Sequence, residues 1–187
     1  SPIIVNESVI GSDGCIRPTT NLDSMASLRP VFKEGGSVTA ATSSPLTDGA
    51  VFALVCSEDF AIRNNLEPLA RIVSGAVTGC PPELMGLGPI EATKLCLSRA
   101  GWEIGDVDIF ELNEAFSSQS LACINELKID LNKVNLDGGA LSIGHPLGAS
   151  GARITGKAAS LLQRTNRAIA TMCIGGGMGI AIALEKY

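Results

Sequence analysis

Val107-Asp108-Ile109-Phe110-Glu111-Leu112-Asn113-Glu114-Ala115-Phe116 is an apolar run of strand length that ends in polar side chains. The same ending recurs at Gly144-His145-Pro146-Leu147-Gly148 and at Cys173-Ile174-Gly175-Gly176-Gly177-Met178-Gly179. Apolar runs that finish in glycine and a reactive side chain are how a parallel sheet builds a site, because ligands lie outside the carboxyl ends of its strands. Three such endings predict one shared pocket.

Outward from these stretches the chain reads as alternating strands and helices. A strand is expected over 69–77, then a helix opened by Pro89, with Thr93, Cys96, Leu97 and Ala100 at helical spacing and Gly101 closing it. The strand over 107–112 leads into a helix begun at Asn113, with Phe116, Cys123 and Leu127 on one side. A third strand is expected over 134–141, with a bend at Gly138 and Gly139. Ser150 opens a helix with Ile154, Ala158, Leu161 and Leu162 on one face, and strands over 168–174 and 178–184 join at the glycine turn. This order calls for a layered α/β sheet, mostly parallel, with right-handed crossovers. Residues 69–187 read as one domain.

Residues 1–68 read differently. Up to about residue 40 they are irregular, broken by Gly11, Gly14, Pro18, Pro30 and Gly35-Gly36, with one helical turn over 22–28. The run over 50–56 looks like a strand without a strand partner, and Ser57 caps a short helix ending near Asn64.

At 187 residues, 45% hydrophobic, with 21 glycines and 18% charged residues, the chain has the composition of a globular protein with a buried sheet. A net charge of −5 argues against broad nucleic-acid binding, which needs a basic footprint. No apolar run is long enough to suggest a membrane span. Cys15, Cys56, Cys80, Cys96, Cys123 and Cys173 are scattered without metal-ligand spacing, so no metal site is expected. They read as buried hydrophobes in a reducing compartment, and the expected location is the cytoplasm, or an organelle matrix if a targeting segment is missing.

Each motif also has a structural reading. Asn113 suits an N-cap, with Glu114 as a first-turn acid against the helix dipole and Phe116 as a core aromatic. His145 is the lone histidine, held between Gly144 and Pro146 at a turn into a helix. Cys173 reads as a buried inert cysteine or as a reactive thiol beside a glycine turn. The glycines after it match neither GxGxxG nor GxxxxGK[ST].

Taken in order, the three stretches resemble the C-terminal signature set of the thiolase family. Leu22-Asp23-Ser24-Met25, Val38-Thr39-Ala40, Leu46-Thr47-Asp48-Gly49-Ala50 and Met85-Gly86-Leu87-Gly88-Pro89 fall in the expected places, so the resemblance covers nearly the whole chain. It implies a thiolase-like layered α/β fold with helices on both faces, in which 1–68 is the end of the loop region and the last elements of an N-terminal domain and 69–187 is the C-terminal domain. It also implies an acyltransferase that condenses two acetyl-CoA to acetoacetyl-CoA plus CoA, or runs the thiolytic reverse. CoA and acyl-CoA are then substrates, with no permanently bound cofactor.

By the same resemblance, His145 donates to a thioester oxygen and Asn113 orders a water beside it, which together stabilise an enolate. Cys173 is the acid and base at the α-carbon, a neighbouring dipole or imidazole lowering its pKa from about 8.5. The Gly175 N–H is half of a second oxyanion hole. Arg17, Ser24 and Ser44 match CoA contacts, and Met85 and Phe116 line the acyl and pantetheine pocket.

Thiolases carry their acyl-accepting cysteine at a strand-to-helix turn in an N-terminal half, and Cys15, Cys56, Cys80, Cys96 and Cys123 do not sit in that context. The chain is therefore expected to be the C-terminal half, inactive alone and partnered by an N-terminal half of the same or a separate polypeptide, in a homodimer or homotetramer. Ala100-Gly101-Trp102 and 106–111 resemble the short-chain acetoacetyl-CoA branch, with a 3-ketoacyl-CoA thiolase of fatty-acid β-oxidation as the near alternative. From other classes, a decarboxylating condensing enzyme is disfavoured by the single histidine, and a non-catalytic CoA-binding half-module is separated from a truncated enzyme by the mass of the native polypeptide.

Overall fold

The computed structural model describes residues 2–187, Ser1 lying outside it. The chain begins with a hairpin, β1 (Ile3–Val5) antiparallel to β2 (Ser8–Ile10). The sequence reading leaves this segment irregular because the turn holds no glycine. Asn6 and Glu7 take φ of 47° and 64° instead, the left-handed pair that a two-residue hairpin needs. α1 (Leu22–Ala26) starts at a capping box, in which Asn21 and Ser24 each satisfy the other's backbone N–H. α2 (Glu58–Arg63) starts where expected, with Ser57 Oγ accepting the Phe60 N–H. Residues 50–56 form no strand, contrary to expectation, and Phe52, Leu54 and Val55 lie exposed. A strand needs a neighbour to pair with, and the apolar run meets none here.

From residue 70 onward the elements are β3 (Ala70–Gly79), α3 (Gly88–Ala100), β4 (Ile109–Leu112), α4 (Ser117–Leu127), α5 (Ala140–Ile143), α6 (Leu147–Leu161), β5 (Arg167–Ile174) and β6 (Met178–Lys186). Four strands form one sheet in the order β3-β6-β5-β4. Only β4 and β5 pair in parallel, and the other two pairings are antiparallel, which corrects the expectation of a mostly parallel sheet. The cause is the Gly176-Gly177 turn, where φ of 91° and 92° folds β6 straight back along β5.

Alternation along the strands separates two faces. Phe110, Ile169 and Ala181 pack with Ala92, Cys96 and Leu97 of α3, and Leu112 on the same side packs with Cys123 and Leu127 of α4. Ile109, Ala168 and Ala170 point the other way, onto Ile154, Ala158 and Leu161 of α6. Helices therefore cover both faces. Burying side chains of this size contributes roughly 1.5–3 kcal/mol each, an upper range for the alanines.

The third expected strand is replaced. Val134 makes a single parallel bridge to Phe110, after which the chain turns away through Asn135 (φ 47°) and Gly138 (φ 88°). The Asn135 side chain continues the pairing, since its Oδ1 accepts the Leu112 N–H at 2.9 Å and its Nδ2 donates to the Leu112 carbonyl at 2.8 Å. A side-chain amide thus satisfies the edge of β4 where a backbone neighbour was expected.

Candidate active site

The end of β4 holds Asn113 in the sheet, its N–H donating to the Thr171 carbonyl at 3.0 Å. Asn113 is not an N-cap. The chain stays extended through Phe116 (φ −142°, ψ 143°), and α4 begins only at Ser117, so the Asn113 side chain turns inward, 1% exposed. Glu114 is not a first-turn acid of α4 either. Its carboxylate accepts from Asn135 Nδ2 at 2.7 Å and from the Leu141 N–H at 3.0 Å, tying α5 to the end of β4.

His145 arrives from the other side. Gly144 takes φ of 94°, and the Thr47 side chain lies where a β-carbon would stand, so a glycine is required at this bend. The bend places the buried imidazole with Nε2 at 3.3 Å from Asn113 Nδ2 and Nδ1 at 2.6 Å from Ser150 Oγ. Ser150 does not open α6 as expected. It lies in the first turn, fully buried, and its hydroxyl donates to the Pro146 carbonyl at 3.1 Å. Arg153, one turn on, donates to Asn113 Oδ1 at 3.3 Å and to the Gly144 carbonyl at 3.0 Å. Burial, and after it the Arg153 charge, lowers the His145 pKa from its ordinary value, so the ring is neutral at neutral pH.

A third segment joins the two. The Ser117 N–H donates to the Thr42 carbonyl, the Ser44 N–H to the Ala115 carbonyl, and the His145 N–H to the Pro45 carbonyl, at 2.9, 3.0 and 3.1 Å. Residues 42–46 therefore run between the Phe116 and His145 segments, bridging Ser43 to Phe116 and Leu46 to His145. A cavity of about 290 Å³ opens beside His145 between 46–49 and 146–148.

Cys173 lies one residue before the end of β5, opposite Gly179 and 5% exposed. Burial pushes its thiol up from the ordinary range, with Cys80 acting in the same direction. This corrects the expectation of a lowered pKa, because desolvation dominates its surroundings. Gly175 follows on the exposed turn. Met85 lies in the 3₁₀ turn Pro82–Leu87, beside Gly86, whose carbonyl accepts from Cys123 Sγ of α4.

Of the expected ligand contacts, Ser44 and Phe116 join the Asn113–His145 cluster. Ser44 Oγ donates to the Ala115 carbonyl at 3.2 Å, and Phe116 packs edge-on against Phe32 with ring centroids 6.4 Å apart. Among the described residues, no hydrogen bond or ion pair ties Arg17 or Ser24 to that cluster. Arg17 is exposed, and the Ser24 hydroxyl is engaged in the α1 cap. Sequence reasoning missed Ser150 and Arg153 as site residues. Their signal is polarity at one-turn spacing in the small-residue run Gly148-Ala149-Ser150-Gly151-Ala152-Arg153.

Residues 66–186 match the family model of the thiolase C-terminal domain, and residues 2–59 match that of the thiolase N-terminal domain. An acetyl-CoA acetyltransferase of Paracoccus denitrificans is 47% identical over 182 residues, covering 96% of this chain and 46% of that protein. A 3-ketoacyl-CoA thiolase of Yersinia pestis (strain Pestoides F) is 52% identical over 181 residues, covering 93% of this chain and 46% of that protein. Human mitochondrial 3-ketoacyl-CoA thiolase, solved in complex with CoA, superposes with a TM-score of 0.93 at 42% identity, over 100% of this chain and 48% of that one. The chain thus spans about half the length of the curated relatives it matches. The motifs of Asn113 and Cys173 lie at strand ends, whereas that of His145 lies between α5 and α6 rather than after the expected strand; with both family models matched in order and the fold reproduced, this chain belongs to the thiolase family.

Proposed function

We propose that this chain is the proton-moving half of an acyl-CoA C-acyltransferase, which condenses two acetyl-CoA to acetoacetyl-CoA plus CoA or cleaves the product with CoA. The carrying observation is the buried Asn113–His145 pair at 3.3 Å beside an open cavity. Such a pair is suited to hold an oxygen that gains negative charge, directly from the imidazole and through a water ordered by Asn113. Cys173 moves the proton. Its raised pKa keeps it a thiol at rest, the form that protonates the leaving carbanion in cleavage, and the resulting thiolate then takes the proton of CoA. In condensation the thiolate takes the α-proton. The Gly175 N–H faces the acyl-enzyme.

CoA is a substrate in this reading, met by Arg17, Ser24 and Ser44, with Met85 and Phe116 along its pantetheine and acyl portions. The acyl-accepting cysteine comes from an N-terminal half, which also covers the apolar surface of residues 50–69. The whole assembles as a homodimer or homotetramer in the cytoplasm or an organelle matrix, a reducing setting that suits six free cysteines. The 52% identity to a 3-ketoacyl-CoA thiolase supports a second reading with longer acyl chains and the same chemistry.

The test has two arms. Residues 1–187 incubated alone with labelled acetyl-CoA should carry no stoichiometric acyl adduct by mass spectrometry, and an adduct on one cysteine would overturn the assignment of the nucleophile to another segment. In the full-length enzyme, Cys173→Ala should still become acylated yet lose condensation by at least about 10²-fold. Deuterium uptake into acetyl-CoA should fall with it. Normal condensation and uptake would make Cys173 a structural cysteine.

A further inference from the structure

We propose that Arg153 and Ser150 are positioning residues that act from opposite ends of one hydrogen-bond chain to fix the tautomer of His145, with the proton on Nδ1 and the lone pair on Nε2. The inference deepens the proposed function, resting on it only for what the imidazole does in the reaction.

Each link is forced by the one before it. A guanidinium has no acceptor, so the Asn113 atom 3.3 Å from Arg153 is the carbonyl Oδ1. The Asn113 amide nitrogen therefore faces the ring, and it only donates. His145 Nε2, 3.3 Å away, must accept, which puts the ring proton on Nδ1. Nδ1–H then donates to Ser150 Oγ at 2.6 Å, and the Ser150 hydroxyl passes its own hydrogen to the Pro146 carbonyl at 3.1 Å. The second Arg153 contact, to the Gly144 carbonyl at 3.0 Å, holds the guanidinium against the residue preceding the histidine. Asn113 and Ser150 are both buried, so bulk water does not offer substitute partners cheaply. The result is the reverse of the tautomer that a free histidine side chain favours in water.

The two ends differ in kind. Arg153 can only donate, so the Asn113 end is fixed. A hydroxyl can donate or accept, so the Ser150 end can reverse. If Nε2 gains a proton from the acyl-accepting cysteine, leaving that residue's thiolate, Nδ1–H stays on Ser150 and both ring nitrogens become donors. His145 is thus an acceptor at rest and a donor to a thioester oxygen only after a proton has reached Nε2.

One histidine in 187 residues makes the test direct. In the chain labelled with ¹⁵N-histidine at pH 8, two-bond correlation spectra should show a protonated Nδ1 and an unprotonated Nε2. Ser150→Ala and Arg153→Met should each move the ring to a majority of Nε2–H, while Ser150→Thr and Arg153→Lys, which keep a hydroxyl and a pure donor, should hold the wild-type pattern. An Nε2–H wild type, or a tautomer unmoved by both disruptive variants, overturns the proposal. If Ser150→Ala fails to fold, the wild type and the two Arg153 variants still decide it. In the full-length enzyme, Ser150→Ala should lower kcat about 10²-fold with KM unchanged and Ser150→Thr should restore it; a kcat unchanged in Ser150→Ala would overturn the positioning role. The spectra need no acyl-CoA turnover, so an enzyme without thiolase activity but with the expected tautomer would sink the functional reading alone.

Discussion

Phe110 and Phe52 put the two regions of the chain side by side. Phe110, in β4, is 1% exposed, whereas Phe52, in the coil before α2, is 97% exposed. The contrast is general, because among the described residues Ala61 is the one buried hydrophobic before residue 70. Residues 70–187 close a core on both faces of a sheet. Residues 2–68 instead carry apolar side chains outward, and those near Phe52, Leu54 and Leu66 border a cleft of about 890 Å³ against α6 and β6. Apolar content alone does not make a core. A region contributes one only where backbone partners let apolar side chains share a face.

The comparison would break most visibly under matched truncations. Phe110→Ala should cost about 3–5 kcal/mol of stability, against about 0.5 kcal/mol or less for Phe52→Ala. Urea unfolding of the 187-residue chain reads both, and equal losses would erase the distinction between the regions.

A smaller effect sharpens it through charge. Glu111 lies in the same strand as Phe110, 3% exposed, and its Oε1 is buried with no hydrogen-bond partner among the described residues. Burial pushes its pKa from 4.5 to about 7, against the pull of Lys157 and Arg153 and with a push from Asp137 and Glu114. The folded protein therefore keeps a proton that the unfolded chain has released. The contribution is fully present below about pH 4.5 and is lost as pH rises through about 7, a loss of about 3 kcal/mol at about 1.4 kcal/mol per unit. Glu111→Gln should thus be more stable than wild type at pH 8, with the gap closing toward pH 4.5. Chemical denaturation at the two pH values measures it, and a gap independent of pH would show that the carboxyl titrates normally.

The smallest effect belongs to the first region. Ser57→Ala removes the acceptor of the Phe60 N–H and should cost α2 about 1 kcal/mol. Amide exchange should quicken at Phe60 to Asn64 while β5 and β6 keep their protection. Loss of protection across the sheet would mean that the regions unfold as one.

Much of the second region was legible in the sequence. Pro89 and Gly101 bracket α3 within a residue, Gly101 taking the left-handed φ of 68° that closes a helix. The glycines after Cys173 mark the turn between β5 and β6. The errors fall where a side chain does a backbone's work or where polarity serves the site. The 134–141 stretch has the apolar content of a strand, but Asn135 spends its amide on β4 and the chain leaves the sheet. Asn113 and Ser150 are favoured helix caps by type, and both are drawn inward by one imidazole. Propensity is local and cannot register a partner 32 residues away. The motifs pointed to Asn113 and His145, which the fold brings within 3.3 Å, and the resemblance supplied the proposed roles.

The short run 42–46, laid between Phe116 and His145, reaches its place through a contact distant in sequence. Its contact with Ala115 closes a loop of 71 residues, while the β5–β6 hairpin closes across a few. Loop length is thermodynamically mild, each doubling costing only about 0.6 kcal/mol, but contacts distant in sequence form late and slowly. The β3–β6 pairing closes longer loops still, from Gly79↔Met178 to Ala70↔Lys186, so the complete sheet and the segment that flanks His145 both wait on contacts distant in sequence, and a chain cut anywhere between residues 79 and 115 would lose both at once.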